Sequence, residues 1–289
     1  MKTGLTGLMI AAAVAGGVGL AAPMPAQAKT SATSEVKIGQ WQVQRYLLHV
    51  RTYYQTTKKV TISAQFMPSY VEGGDISMHK VTLPKGTIIA GEKSAVTKHN
   101  KTTYQMYLYP SDLGYNVLKP NLSNGYTSTP SMRSWSKATS SFKKVSRPTY
   151  LPTYSYGDMY AGSTVSAIQS KQTKRIQITS NGYVEVHKKV AKAEPDSQLY
   201  QKPSAAAKIE RTTVKGSTRY LYLNKKLSGF TTTKVKQNGK TRYRLAMKNL
   251  HTPIYIKGQY DDDIPGSFYS IYNLGGHKYF TYIGDDDTD

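Results

Sequence analysis

Between Lys234 and Leu250 the chain reads KVKQNGKTRYRLAMKNL, with Lys234, Lys236, Lys240, Arg242, Arg244 and Lys248 and no acid. The chemistry open to such a stretch is capture of a dense anion, since repeated phosphates or carboxylates attract Lys and Arg mainly by releasing counterions. A solvated face that blunts a sheet edge is the bland alternative. That alternative accounts for the cations but not for the missing Glu and Asp, nor for the net charge of +22 over the whole chain. Arg219, Tyr220 and Tyr222, in the nearby TRYLYL, join Lys234, Lys236, Lys240, Arg242 and Arg244 as candidate ligand-binding residues. The tyrosines point away from Leu221 and Leu223 in a strand and offer rings for stacking on sugars or bases, or for cross-strand packing.

Asn238-Gly239 marks a hairpin turn. A three-residue loop Gln237-Asn238-Gly239 sets Lys236 against Lys240 and Lys234 against Arg242. It collects the five hairpin cations on one face and Thr233, Val235, Thr241, Tyr243, Leu245 and Met247 on the other. The same rule applied to ITSNGYV gives a Ser180-Asn181-Gly182 loop that aligns Ile178 with Val184 and Ile176 with Val186.

Residue types suited to catalysis are present but not at catalytic spacing. His49, His79, His99, His187, His251 and His277 form no H-x-H or H-E-x-x-H pair, which argues against a metal site. The absence of Cys removes thiolate nucleophiles, zinc–thiolate sites and disulfides. Ser-x-x-Lys occurs at Ser77–Lys80, Ser134–Lys137, Ser140–Lys143 and Ser141–Lys144, without the companion motifs of a serine acyltransferase. Glu35, Glu72, Glu92, Glu185, Glu194 and Glu210 are scattered, and nothing marks a glycosidase pair. Asp261-Asp262-Asp263 and Asp285-Asp286-Asp287 with Asp289 lack calcium-loop spacing and suit a solubilising tail or an internal partner for the basic strip. The expectation is a chain with no catalytic residue, metal or cofactor.

The elements that must position the candidates are short strands. Tyr is abundant (24), Phe (5) and Trp (2) are scarce, and Thr, Val and Ile fill short runs broken by Gly, Asn and Pro. Such runs are Lys59–Phe66, Lys80–Gly91, Thr173–Lys189 and Thr218–Leu227. Residues 41–54 fit both strand and helix periodicity, with strand favoured by their β-branched and aromatic content. The expected fold is mainly β, with small SH3-like antiparallel barrels or sandwiches in two modules. The boundaries are a signal peptide at 1–28, an N-terminal β module at 36–120, a Ser/Thr/Pro-rich linker or irregular segment at 121–164, a C-terminal module at 165–284 and an acidic tail at 285–289. Phrases beginning with a turn and Thr-x-Tyr recur around Tyr104, Tyr220 and Tyr243, with a decayed copy at Asn273–Gly284, and suggest successive strands rather than separate domains.

Residues 1–28 carry one Lys, an apolar Ala/Gly run and Ala26-Gln27-Ala28, the form of a secretory signal with its cleavage site. LPKGT and LPTYS lie far from the C-terminus, so no sortase signal is expected, and a lipid-modified Cys is impossible. The phrase NGKTRYRL resembles the SH3-like wall-associated modules of Gram-positive secreted surface proteins, over residues 165–284 and more weakly 59–120. The Trp usual in that phrase is replaced here by Tyr243 and Tyr220. The resemblance implies β-barrels held on the envelope by peptidoglycan or teichoic acid. The expectation is thus a secreted, non-enzymatic protein, non-covalently associated with the cell surface and not transmembrane once its signal is cleaved. Its expected partners are anionic wall polymers or glycans, without specific nucleic-acid recognition. The alternatives are an adhesin for host or matrix polyanions and a wall hydrolase or transferase with an unmarked site.

Overall fold

Alternating runs of β-branched and aromatic residues bury one face per strand, and the chain solves that requirement with two large antiparallel sheets. The computed structural model describes residues 34–67, 77–119, 129–170, 174–188, 202–259 and 264–286. The signal-peptide segment, Asp261-Asp262-Asp263, Asp287 and Asp289 lie outside them.

A small hairpin, β1 (Glu35–Ile38) and β2 (Trp41–Gln44), comes first. The first large sheet is built from β3 (Tyr53–Thr56), β4 (Val60–Met67), β5 (Ser77–Leu83), β6 (Ile88–Lys98), β7 (Lys101–Tyr109), β8 (Thr129–Ser136) and β9 (Phe142–Val145), in the order β5-β4-β8-β7-β6-β3-β9. Its core gathers Ile62, Phe66, Val81, Leu83, Ile89, Met106 and Leu108 with Val117 and Leu118 of α1 (Tyr115–Leu118).

The second sheet comprises β10 (Asp158–Ala161), β11 (Arg175–Ile178), β12 (Tyr183–His187), β13 (Ala205–Lys215), β14 (Thr218–Leu223), β15 (Thr232–Gln237), β16 (Lys240–Asn249), β17 (Ile254–Ile256), β18 (Ser267–Leu274) and β19 (His277–Asp285). Its order is β15-β16-β14-β13-β12-β11-β10-β19-β18-β17, and β16 also pairs with β18. That pairing closes eight strands into a barrel, the size at which side chains alone fill the interior. Ile176, Ile178, Val184, Leu221, Leu223, Leu245, Met247 and Leu274 do so. The loop Arg147–Tyr156 caps the barrel. Leu151 joins the interior cluster, Arg147 donates to the carbonyls of Leu151 (3.2 Å) and Ser155 (2.8 Å), and Tyr150 Oη donates to the Ser180 carbonyl. A helix, α2 (Val165–Ser170), packs Ile168 outside the barrel with Tyr269, Ile271 and Phe280.

The mainly β expectation is met, while the division of the chain differs from the one composition suggests. Residues Thr33–Asp289 cluster as one compact unit. The stretch 121–164, expected as linker or irregular segment, supplies β8 and β9 to the first sheet and β10 to the barrel. Ser and Thr there are strand residues: Ser134 and Ser136 turn inward, where small side chains fit, and Trp135 turns out. Residues 35–44 leave the first sheet, and Trp41 and Val43 pack against Phe268 and Ile283 on the outside of the barrel. Residues 41–54 are strand at Trp41–Gln44, a short 3-10 turn at Arg45–Leu47, an irregular stretch over 48–52 with one bridge from Leu48 to Gly284, and strand again from Tyr53. The recurring phrases around Tyr104, Tyr220 and Tyr243, with Asn273–Gly284, are second strands of two-residue hairpins, β6–β7, β13–β14, β15–β16 and β18–β19.

Candidate functional site: a cationic outer face on the barrel

The β15–β16 hairpin corrects the expected register. Gln237 pairs with Lys240, Lys236 with Thr241, Val235 with Arg242, Lys234 with Tyr243 and Thr233 with Arg244. The loop is Asn238-Gly239, both residues at positive φ (47° and 74°), the two-residue turn whose twist matches the strands. This register places every hairpin cation opposite a neutral residue. The expected one opposed Lys236 to Lys240 and Lys234 to Arg242, and like pairs across a ladder are destabilising. Clean segregation of faces is forgone instead. In β11–β12 the three-residue loop does form, with Ile178 against Val184 and Ile176 against Val186. There Thr179 exchanges bonds with Tyr183 through its backbone and its hydroxyl (2.9 Å each), and Gly182 takes φ 83°.

The shift of register divides the predicted strip. Lys240, Arg242 and Arg244 lie on the outer face of the barrel, while Lys234 and Lys236 turn to the opposite face with Thr241 and Tyr243. Strand alternation adds residues that sequence inspection missed. Lys248 pairs with Thr218, Arg211 with Tyr222, and Arg244 with Tyr222 from the other side. The outer face of β13, β14 and β16 therefore carries Arg211, Lys215, Lys240, Arg242, Arg244 and Lys248 around Tyr220 and Tyr222, with cations repeating at about 7 Å along a strand. Leu221 and Leu223 are fully buried beneath, as alternation requires. Alternation from the buried Ala207 and Ile209 would turn Arg211 inward; the bulge between Ile209 and Arg211, seen only in the strand pairing, brings it outward.

The tyrosines are held by these cations. Arg244 Cζ lies 5.1 Å from the Tyr220 ring centre, and Arg211 Cζ 5.7 Å from that of Tyr222. Contacts of this kind at exposed sites are worth about 0.5–1 kcal/mol, enough to bias a rotamer and too little to sequester a charge. Glu210, at the bulge, pairs with Arg242. A partly exposed pair contributes at most about 1 kcal/mol and yields readily to a polyanion. An open cleft of about 480 Å³ between the bulge and the hairpin tip is lined by Glu210, Arg211, Gln237, Asn238, Lys240 and Arg242.

Arg219 belongs elsewhere. It lies on the other side of β14 and donates to the Thr149 carbonyl (3.1 Å) and Thr153 Oγ1 (2.8 Å), tying down the capping loop. None of the Ser-x-x-Lys pairs opens an α-helix. Ser77 and Lys80 share β5, and Ser140 and Ser141 lie in a 3-10 turn that leads into β9. Among the described residues no three His, Asp or Glu gather to hold a metal.

The charged groups that do converge are buried between the sheets. Arg51 pairs with Asp112 at 2.6 Å, and its guanidinium lies 3.4 Å from the Tyr156 ring centre and 4.3 Å from that of Tyr109. Asp112 and its neighbours dock on the outside of β11 and β12. The Ser180 amide donates to the Asp112 carbonyl (2.7 Å), Gln177 Nε2 to the Ser111 carbonyl (3.0 Å), and the Tyr115 amide to Glu185 Oε1 (2.9 Å). This cover explains why β11 and β12 are buried on both faces. Burial pushes Asp112 up to about 6 against the pull of Arg51, and Glu185 up to about 7 against the Tyr115 amide. These groups couple the two sheets and are remote from the cationic face. Compared with protein-family models, with characterised proteins and with solved structures, the chain matches none.

Proposed function

We infer that this chain is a secreted, non-enzymatic protein of the bacterial cell surface that binds anionic envelope polymer, teichoic acid or peptidoglycan, through the outer face of β13, β14 and β16. The observation that carries this function is the array of six cations interleaved with Tyr220 and Tyr222, in which Glu210 is the one acid among the described residues of the face. Cations at two-residue intervals along β16 suit a polymer with regularly repeated charges, and the flanking rings suit its sugar or polyol units. The resemblance of NGKTRYRL to SH3-like wall-associated modules points to the same class of partner.

The test is a pull-down with purified cell walls, with and without teichoic acid, across a salt series. Binding that requires the teichoic acid and collapses between about 50 and 200 mM salt is expected. Binding that is undiminished by removal of teichoic acid and unchanged through the salt series, or release of soluble wall fragments, contradicts it.

A further inference from the structure

On the opposite side of the barrel, outside β10, β18 and β19, lies a cavity of about 360 Å³. His49, Tyr156, Tyr160, Tyr269, Phe280 and Tyr282 form its walls. The rings are mutually braced. His49 stacks on Tyr156 at 4.1 Å and 1° and meets Tyr282 edge-on at 4.3 Å and 89°. Tyr160 stacks on Phe280 at 5.5 Å and 21°, and Tyr269 leans on Tyr282 at 5.5 Å. The floor is polar but internally satisfied. The Gly157 amide donates to Ser155 Oγ (3.0 Å), Ser155 and Thr281 share a hydroxyl bond (2.5 Å), and Thr281 Oγ1 donates to the Asp158 carbonyl (2.6 Å).

Charge decides what such a cavity accepts. Asp158, on the cavity wall, pairs through Oδ1 with the wholly buried Arg175, so this carboxylate is neutralised. Burial, reinforced by Arg51, holds the His49 imidazole down at about 4, so it is neutral and carries one N–H donor and one acceptor nitrogen. The cavity thus has aromatic walls and a few convergent polar groups, with Asp285 beside it accepting from Ser267 Oγ (3.3 Å) and bonded to Tyr282, on a chain of net charge +22. Among the described residues the nearby cations Arg51 and Arg175 are buried and paired, so a phosphate finds none to bind; Asp158 is compensated by Arg175, and Asp285 is engaged by Ser267 and Tyr282. A neutral ring with an apolar face and a rim of hydroxyls matches both the walls and the acceptors.

We propose that this cavity is a saccharide site that takes one or two uncharged sugar units of a glycan. It is independent of the cationic face, so the chain holds a charged polymer on one side of the barrel and a neutral glycan on the other.

The experiment is calorimetric titration of the full chain with cellobiose, lactose and the N-acetylglucosamine disaccharide, with tetramethylammonium and inorganic phosphate as alternative ligands. At least one disaccharide is expected to bind saturably, with affinity changing less than about twofold between about 50 and 500 mM salt. Tyr282→Ala and His49→Phe should each weaken it at least about tenfold while melting as the parent does. His49→Phe keeps the ring stack and removes only the nitrogens, so it reads recognition even where Tyr282→Ala fails to fold. No saturable binding of any disaccharide overturns the proposal, as does tighter binding of tetramethylammonium or phosphate at this cavity. Sugar binding that survives both folded variants but is lost with Arg244→Glu also overturns it, because the sugar would then occupy the cationic face.

Discussion

On β13, β14 and β16 the barrel presents Arg211, Lys240, Arg242 and Arg244 between two tyrosines, on a surface open to water. Across the barrel, on β10, β18 and β19, it presents Tyr160, Tyr269, Phe280 and Tyr282 around a cavity whose carboxylates are engaged, Asp158 by Arg175 and Asp285 by Ser267 and Tyr282. Among the described residues the cations of the first face have Glu210 as their one acidic partner, on Arg242, and weak ring contacts at Arg211 and Arg244, and so keep affinity for an external polyanion. The second is backed by buried, paired charge: Arg51 lies under Tyr156 and against Asp112, and Arg175 against Asp158. Charge left unpaired at the surface is available for binding, whereas charge paired in the interior fixes geometry.

The contrast is broken most severely at its buried side. Arg51→Ala leaves Asp112 ionised or protonated without its partner, and a loss of about 3–5 kcal/mol in denaturant unfolding is expected. A loss under about 1 kcal/mol would mean that the pair is not structural. Glu185 gives a pH signature of the same interior. Its folded pKa is raised to about 7, so its contribution to stability is present below the ordinary carboxylate range and is lost as pH rises through about 7. Glu185→Gln should keep the bond from the Tyr115 amide and gain on the parent as pH rises from 5 to 8, by on the order of 3 kcal/mol. A constant difference across that range would show that Glu185 is not held protonated. On the exposed side, Gly239→Ala meets no atom within 4 Å, so its cost is the strain of φ 74° alone. A loss of about 1 kcal/mol is expected, with weaker polymer binding as the β15–β16 hairpin frays. An unchanged melting temperature would place the turn outside the folding unit.

Local alternation was legible in the sequence. Leu221 and Leu223 face the core and Tyr220 and Tyr222 face out, and the register of Ile176 and Ile178 against Val186 and Val184 follows from the Ser180-Asn181-Gly182 loop. The same reasoning failed at Asn238-Gly239, because face segregation there was outweighed by turn twist and by repulsion between opposed cations. Barrel closure through Met247 and Leu274 joins strands distant in sequence and leaves no periodic mark. Ser134 and Ser136 read as linker because composition does not reveal that small residues are wanted under a sheet. The aromatic cavity was invisible for a related reason. Its walls come from 49, 155–160, 267–269 and 280–282, segments that only the fold brings together, and nothing in the sequence sets His49 apart from the other histidines.

The register itself supplies the sharpest test of the cationic face. Arg242→Glu/Arg244→Glu and Lys234→Glu/Lys236→Glu change the net charge of the chain equally, yet one pair lies on the outer face and the other on its reverse. Binding of each to walls bearing teichoic acid should be measured against salt. For the Arg pair, affinity should fall at least about tenfold at low salt, and the slope of log K against log salt should become shallower by about 1.5. The Lys pair should stay within about threefold of the parent. Equal losses in the two variants would contradict the account, since binding would then follow the overall charge of the chain rather than a built face.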